Sequence, residues 1–539
     1  NTRLRLRGKA DMTSTEQILS RVEEELPFDE LMEQGEELLK KLDYSAALRH
    51  YDRVLKSAQK LTGDGREYKV AKARNRYAKA CQVVGRWDRA QREYRRVVES
   101  ELEGDDRSAI AEALIGLGVT LSRRGERDEA RDHFVEARDV AEELGLTQRK
   151  AEAMCHIAAA SGRTGELEDA KNILEDAREY VPESPADAHE RELCALYHSQ
   201  WGLFFFRTGN NAQASISFQK ALDVLGEQPS LEAAASRRYL GVMCSMKGQH
   251  RQTLEHHLEA LRIYKLAGCR YGQAKVYDSI GRTFAANNRM EEAIFSYKKA
   301  ESICRRLGAN SELATLYGKL GQVYMIREDY ETAVKYFRRD LDISSRNGNY
   351  YALGYSYRNL GRSLIQVGIT EEAITNLKES IGLFQYVEDH INLGRVYMDL
   401  TQAYVKAERA HEAREVATKA EAIFEEQNMD RELAFLKCLK GVICRLTRDY
   451  ATAEKLNTES IEELPEKGPQ AWRAEAHYEL GILYRQQKRY PEAVAAFRDA
   501  LDIARAAGLS RHTGRYLRDI ESLDETELYR AWMKDLPEG

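Results

Sequence analysis

The sequence predicts an all-α fold: an α-solenoid of about twelve helical hairpins, closed by a C-terminal pair of capping helices. Three observations predict it. A small residue, most often Gly, returns at a spacing near 40 along almost the whole chain. A second small residue follows twelve positions later, and a bulky group stands four further on. At 539 residues the chain exceeds the size at which one hydrophobic core stops growing, yet it has only 8 Pro and no Pro-, Gly- or Ser-rich linker. An array in which each unit touches its neighbours meets both conditions.

In chain order, residues 1–28 read as an N-terminal arm or leading helix. Its basic run of Arg3, Arg5, Arg7 and Lys9 is taken as a solvated tail before a start at Met12 rather than as an anchoring arm. The tandem array spans 29–508. Its first small slot holds Gly35, Ala78, Gly118, Ala158, Gly202, Gly241, Gly281, Gly321, Gly361, Thr401, Gly441 and Gly481. The second runs from Ala47, Ala90 and Ala130 to Ala453 and Ala493, with Thr253 as its one β-branched member. The bulky slot holds Tyr51, Tyr94, Phe134, Leu174, Phe218, Tyr297, Phe337, Leu377 and Phe497.

Each copy reads as a hairpin. Val276, Tyr277, Ile280 and Phe284 sit at helical spacing, and turns follow at Gly248, Asn287-Asn288, Glu328-Asp329 and Gly368. Second helices open on acidic pairs such as Glu291-Glu292 and Glu371-Glu372, which suit a helix N-terminus. They stop at Gly268, Gly308, Gly348 and Gly508. The spacing slips to 43, 44 and 39 at three places, and an insertion containing Pro182 and Pro185 predicts a bend near 180–190. Residues 509–539, with Leu528, Trp532 and Met533, are the expected capping helices.

Segments such as NLGRSLIQVGITEEAITNLKESIGLF and ELGILYRQQKRYPEAVAAFRDALDIA resemble the tetratricopeptide repeat. They carry its Leu-Gly in the first helix and its Ala and bulky group in the second. The period of 40 is longer than the usual 34. It is similar to the subtype in spindle-orientation adaptors, kinesin light chains and bacterial peptide-sensing regulators. The resemblance implies a right-handed superhelix that binds proteins, its first helices lining the concave face. It also implies that inward side chains lie six and three before the Gly slot and one and four after it.

Composition and motifs exclude much else. There is no phosphate-binding G-x-x-x-x-G-K-[ST], no G-x-G-x-x-G after a strand and no G-x-S-x-G, so no enzyme and no cofactor are expected. His250, His256 and His257 read as packed or surface residues, and Cys194 with His198 as a structural pair, so no metal is assigned. Eight single cysteines suit a reduced, cytoplasmic protein. The longest apolar run, Trp201 to Phe206, is too short for membrane insertion, and a net charge of −6 gives no case for nucleic acid.

Carried onto this sequence, the inward positions give a basic and amide-rich groove. Its members are Arg238, Lys275, Arg282, Gln322, Tyr355, Arg358, Arg362, Arg395, Gln402, Arg445 and Arg485. Guanidinium forks grip carboxylates, and amides hold extended backbone. The partner expected is another protein or peptide, acidic in character, held by an adaptor or scaffold. The alternative is a ligand- or peptide-responsive sensor that changes superhelical pitch. The two-carboxylate clamp of chaperone cochaperones is not reproduced. The alternative for these arginines is that they neutralise neighbouring helices, with Asp340 placed to meet Arg358 or Arg362. Leu196, Leu203 and Phe206 give an apolar stretch, open to a partner or buried beneath the Pro182–Pro185 loop.

Overall fold

A computed structural model describes residues 27–346, 349–464 and 469–524. These form 25 α-helices in sequential antiparallel pairs, without strands among the described residues. Two compact units are distinguished, Asn1–Leu313 and Ala314–Gly539.

In the first unit, α1 (Phe28–Lys40) pairs with α2 (Tyr44–Ala58), α3 (Arg66–Val84) with α4 (Trp87–Val98), and α5 (Ser108–Arg124) with α6 (Arg127–Glu143). Next come α7 (Thr147–Thr164) with α8 (Leu167–Ala177), α9 (Ala188–Arg207) with α10 (Asn211–Leu225), α11 (Leu231–Met246) with α12 (His250–Leu266), and α13 (Arg270–Ala286) with α14 (Met290–Leu307). The division falls inside α15 (Asn310–Ile326), which pairs with α16 (Tyr330–Ser344). The second unit continues with α17 (Tyr350–Val367) and α18 (Thr370–Tyr386), α19 (His390–Lys406) and α20 (Ala410–Glu426), α21 (Asp430–Leu446) and α22 (Tyr450–Glu463), and α23 (Gln470–Gln486) and α24 (Tyr490–Ala506). One capping helix, α25 (Ser510–Asp524), follows. The basic run at Arg3–Lys9, the stop at Gly348 and the capping residues Leu528, Trp532 and Met533 lie outside the described residues.

Both small slots acquire a physical meaning. In most hairpins a ring of the second helix packs on the first helix at the Gly slot, sixteen positions earlier. A Cβ added to Gly321 would come 2.6 Å from Cε1 of Phe337, and one at Gly202 would come 2.7 Å from Phe218. Gly281 meets Tyr297 and Gly481 meets Phe497 in the same way. At these four crossings the helices approach to a distance that only a residue without a side chain permits. Where Thr401 fills the slot, the facing position is Ala417, and both are fully buried. The size exchange keeps the crossing. The Thr401 hydroxyl is satisfied by donating to the Tyr397 carbonyl at 2.9 Å. Gly241 instead faces His257, whose ring nitrogens are buried without a hydrogen-bond partner. Burial, then Arg238, pushes that imidazole down to about 3, so it packs as a neutral ring.

Every hairpin turns through one residue in the left-handed region, seven after the Gly slot. Half are Gly, such as Gly125 and Gly368, but Asn288, Glu328, Glu408 and Lys488 adopt it too. The next residue often caps the second helix, as when Asp43 accepts from the Ala46 N–H at 2.8 Å.

Within each unit the helix path curls back on itself. In the first, the Arg127 guanidinium donates to Ser311 Oγ at 3.0 Å across 184 residues, and Trp87 stands edge-on to Tyr271 at 5.5 Å. In the second, the turn after α15 meets the start of α25. The Arg511 backbone N–H donates to Glu328, as does the His512 ring, and Arg511 also pairs with Glu331 at 3.3 Å.

The crossing generates a prediction. Gly321→Val should lower the urea midpoint of helix loss, by about 1–3 kcal/mol of overpacking. Adding Phe337→Ala should recover part of that loss, as the Thr401 and Ala417 pair does naturally. Additive losses in the double variant would show that the two positions do not share one crossing.

Candidate functional site

In the unit Ala314–Gly539 the six first-type helices, α15 to α25 by odd number, face a common interior. They enclose a cavity of ≈ 550 Å³. Gln322 and Met325 come from α15, Arg358 and Arg362 from α17, and Met398, Gln402 and Lys406 from α19. Phe435 of α21, Trp472 and Glu475 of α23, and His512 and Arg515 of α25 complete the wall. Repetition of the hairpin brings these residues together, because each presents the same face of its first helix.

Four of the residues expected from the sequence, Gln322, Arg358, Arg362 and Gln402, therefore share one chamber. Their charges are largely answered from within. Arg358 Nε donates to Asp399 Oδ2 at 2.5 Å, while Arg362 reaches the other oxygen of Asp399 only at 3.7 Å. The Arg362 side chain stays 41% exposed. Arg515 pairs with Glu475 at 3.3 Å and lies over the Tyr478 ring at 3.8 Å. Burial pushes the Glu475 carboxyl up, but Arg515 and Lys406 outweigh it and hold the group well below the ordinary carboxylate value. Burial likewise raises Glu328, and the bonds from His512 and the Arg511 N–H outweigh it, leaving the carboxyl lowered. Lys406 is exposed and forms no ion pair among the described residues. Phe435 and Trp472 stack at 4.7 Å and form the aromatic side of the chamber.

The other expected residues lie elsewhere. Arg395 pairs with Glu432 at 2.9 Å, Arg445 with Glu479 at 2.8 Å and Arg485 with Asp519 at 3.0 Å. Tyr355 packs edge-on against Phe384, with its hydroxyl 3.3 Å from that of Tyr351. In the unit Asn1–Leu313, Arg238 is buried, lies over the Tyr239 ring at 3.8 Å and donates to Ser279 at 3.2 Å. Lys275 reaches Glu312 at 3.3 Å. Arg282 is half-buried, and its Nε has no hydrogen-bond partner. Leu196 belongs to the core with Val181 and Cys194, and the Cys194 thiol donates to the Pro182 carbonyl at 3.2 Å. The inserted loop thus covers Leu196, whereas Leu203 and Phe206 remain half-buried beside Phe218 and Met243.

Asp340 does not meet Arg358 or Arg362, because Arg358 is turned to the next repeat's Asp399. Its oxygens accept instead from Ser344 at 2.9 Å and Ser356 at 2.8 Å. Sequence reasoning did not find Trp472, Phe435, His512, Arg515 or Glu328. Lys406 stands five after its slot, one past the positions considered. The α25 residues enter only because the path curls back, which no local spacing records.

Sequence models of the tetratricopeptide repeat match residues 69–143, 109–183, 312–385 and 432–506, and a second model of the same repeat matches 274–306. The chain is a tetratricopeptide repeat protein. Tetratricopeptide repeats imply a protein-interaction scaffold. The tetratricopeptide chain is 33% identical over 141 residues to kinesin light chain-related 2 of Arabidopsis thaliana, covering 25% of this chain and 20% of the relative. Kinesin light chain-related 3 of the same plant is 23% identical over 288 residues, covering 53% and 32%. The chain thus spans a third or less of either relative. Among solved structures it is similar to aspartyl phosphate phosphatase F from Bacillus subtilis, at TM-score 0.43 and 14% identity, covering 65% of this chain and 92% of that one. It is also similar to the apo form of RapI, at TM-score 0.49 and 13% identity, covering 66% and 97%. No helix among the described residues is long and apolar enough to cross a membrane, and no group of three or more His, Cys, Asp or Glu there could hold a metal ion.

Asp340 carries a pH prediction. Burial raises its carboxyl to about 6, against the hydrogen bonds from the two serines. The folded chain therefore holds this proton more tightly than the unfolded one, and stability falls as pH rises from about 4 through 6. Asp340→Asn should be nearly neutral in urea denaturation at pH 4 and stabilising at pH 8, by up to about 3 kcal/mol. An equal effect at both pH values would mean that Asp340 is ionised at no cost.

Proposed function

We propose that this tetratricopeptide repeat protein is an adaptor that takes an acidic, partly apolar segment of a partner protein into the chamber of the unit Ala314–Gly539. The observation that supports it is the chamber's charge beside its apolar wall. Arg358, Arg362, Lys406 and Arg515 stand against Glu328, Asp399 and Glu475, before His512 is counted. The surplus resides in Arg362 and Lys406, the two cations least committed to internal carboxylates. Phe435, Trp472 and Met398 offer an apolar seat next to them. A volume of ≈ 550 Å³ lies in the range of small-ligand sites, so it holds an anchor of a few residues rather than a long stretch. In this reading the chain holds its partner and performs no chemistry. The cytoplasm is its proposed setting, on the single, unclustered cysteines.

The test uses fluorescein-labelled peptides that combine glutamate with leucine, compared with their glutamine counterparts. Binding should weaken as salt rises. The double variant Arg362→Gln, Lys406→Gln should weaken it at least about 10-fold, roughly one charge-assisted contact. Arg358 is a poor choice for this test, because removing it leaves Asp399 buried and unpaired. Unchanged binding by the folded double variant would place the partner elsewhere.

A second reading, a sensor whose shape responds to its ligand, is favoured by the Glu328 contact. That carboxylate receives the α25 N-terminus and His512, and both Glu328 and His512 also line the chamber. An occupant would therefore touch the groups that close the turn. Glu328→Gln should increase hydrogen exchange in α25 and enlarge the scattering radius, and wild type at saturating peptide should move in the same direction or the reverse. Identical scattering of free and saturated wild type removes the sensor reading and leaves the adaptor.

A further inference from the structure

The outer surface of the unit Asn1–Leu313 carries an apolar patch that the chamber does not involve. On a second helix, the face turned away from the first helices holds the positions fourteen and seventeen after the Gly slot. Ile216 of α10 and Phe295 of α14 occupy the first of these, and Leu258 of α12 the second. They are 48%, 63% and 59% exposed, and Leu254, one turn before Leu258, is exposed as well. At the same two places the other repeats carry polar residues, such as Arg92, Lys335, Glu175 and Lys378, apart from Val135 and Ala495. Single exposed apolar side chains are ordinary, but three at matching places on successive outer helices mark a surface that is covered in use. One turn on from each stands an exposed cation: Lys220, Arg262 and Lys299. Lys299 lies over the Phe295 ring at 5.2 Å, and Arg262 is held by Glu259 at 2.8 Å. Helices α12 and α14 each carry one more Lys or Arg than Asp or Glu.

The chain holds a segment of complementary pattern. Residues 12–26 precede the described residues of this unit. In their sequence Thr13 and Glu16 have the spacing that opens a helix. Ile18, Leu19, Val22 and Leu26 then fall on one helical face, and Pro27, which precedes α1, ends the run. Glu16, Glu23, Glu24 and Glu25 against Arg21 make the segment acidic. The adjoining hairpin offers it no seat. The exposed residues of α1 and α2 are all polar, and on α1 they are mostly acidic, with Glu30, Glu33 and Glu37 among them.

Helix α12 is within reach because the helix path of this unit curls back. A Cβ added to Gly268, just past α12, would come 3.6 Å from Ser45 Oγ at the start of α2. Pro27 stands one length of α1 from that meeting place, about 20 Å, and an α-helix over residues 12–26 is about 22 Å long.

We propose that residues 12–26 form an amphipathic helix that docks on the outer faces of α10, α12 and α14. Its Ile18, Leu19, Val22 and Leu26 cover Ile216, Leu258 and Phe295, and its glutamates lie toward Lys220, Arg262 and Lys299. Docking hides this face from partner proteins, and release opens it. The site is independent of the chamber around Arg362 and Lys406.

The experiment is amide hydrogen exchange on the full chain, read by mass spectrometry over residues 14–26. Exchange there should be at least about tenfold slower than in a synthetic peptide of residues 12–26. Leu258→Lys, Phe295→Lys together should remove that protection with circular dichroism unchanged, since both side chains are exposed. Ile18→Lys, Val22→Lys should remove it too, and should raise binding of anilinonaphthalene sulfonate at the bared patch. Arg362→Gln, Lys406→Gln should leave it unaltered. If the variant at 258 and 295 does not fold, Ile216→Lys decides, with protection cut about threefold or more. Wild-type amides that exchange as fast as the peptide overturn the proposal. So does protection that survives in the folded Leu258→Lys, Phe295→Lys chain. A doubled mass for wild type in light scattering, returned to that of one chain by the same substitutions, gives the patch to a second copy and overturns it equally.

Discussion

A second-helix ring lying flat on a first-helix glycine is the contact on which the rest of the array depends. At Gly321 and Phe337, or Gly202 and Phe218, there is no room for even one methyl group. That closeness sets the separation of the two helices, and so sets which first-helix residues point inward in every repeat. Two of the three exceptions exchange bulk between the helices, whereas Ala78 stands opposite the full-sized Tyr94. Thr401 occupies the slot only opposite Ala417, and Ala158 only opposite the smaller Leu174. Bulk moves from one helix to the other while the crossing persists.

Charge then ties each hairpin to the next. Lys275 with Glu312, Arg395 with Glu432 and Arg445 with Glu479 each join a first helix to its successor. Arg445 and Glu479 are about nine-tenths covered, so loss of either partner would strand the other charge in a poorly solvated place. Many inward arginines are therefore couplers between repeats, and their number alone overstates the groove's appetite for anions. What distinguishes a binding position is charge left over after this coupling.

The hairpins, their boundaries to within a few residues and the slots were legible in the sequence because they are local and repeated twelve times. The inward direction of Gln322, Arg358, Arg362 and Gln402 came from the resemblance to the tetratricopeptide repeat, carried over position by position. Their commitments were not legible. Asp399, which takes up Arg358, lies 41 residues away in the next repeat, and pairing across that interval depends on side-chain reach rather than spacing. For Leu196 the sequence left an open groove and burial beneath the Pro182–Pro185 loop as alternatives, because the covering segment around Val181 follows no repeat. Trp472, His512 and Arg515 reach the chamber through curvature accumulated over several hairpins.

The meeting of Glu328 with His512, 184 residues apart, alters how the second unit should unfold. In a solenoid whose repeats touch only their neighbours, stability is a sum of local terms and the ends fray first. Here α25, the last described helix, is bound to the opening turn of its own unit as well as to α24. Its release requires two sets of contacts to break together. The contact also carries a loop-closure cost that must be met before it forms, so it belongs late in folding. The unit thereby gains a cooperativity that a linear stack lacks, because its last described helix is secured across 184 residues of sequence.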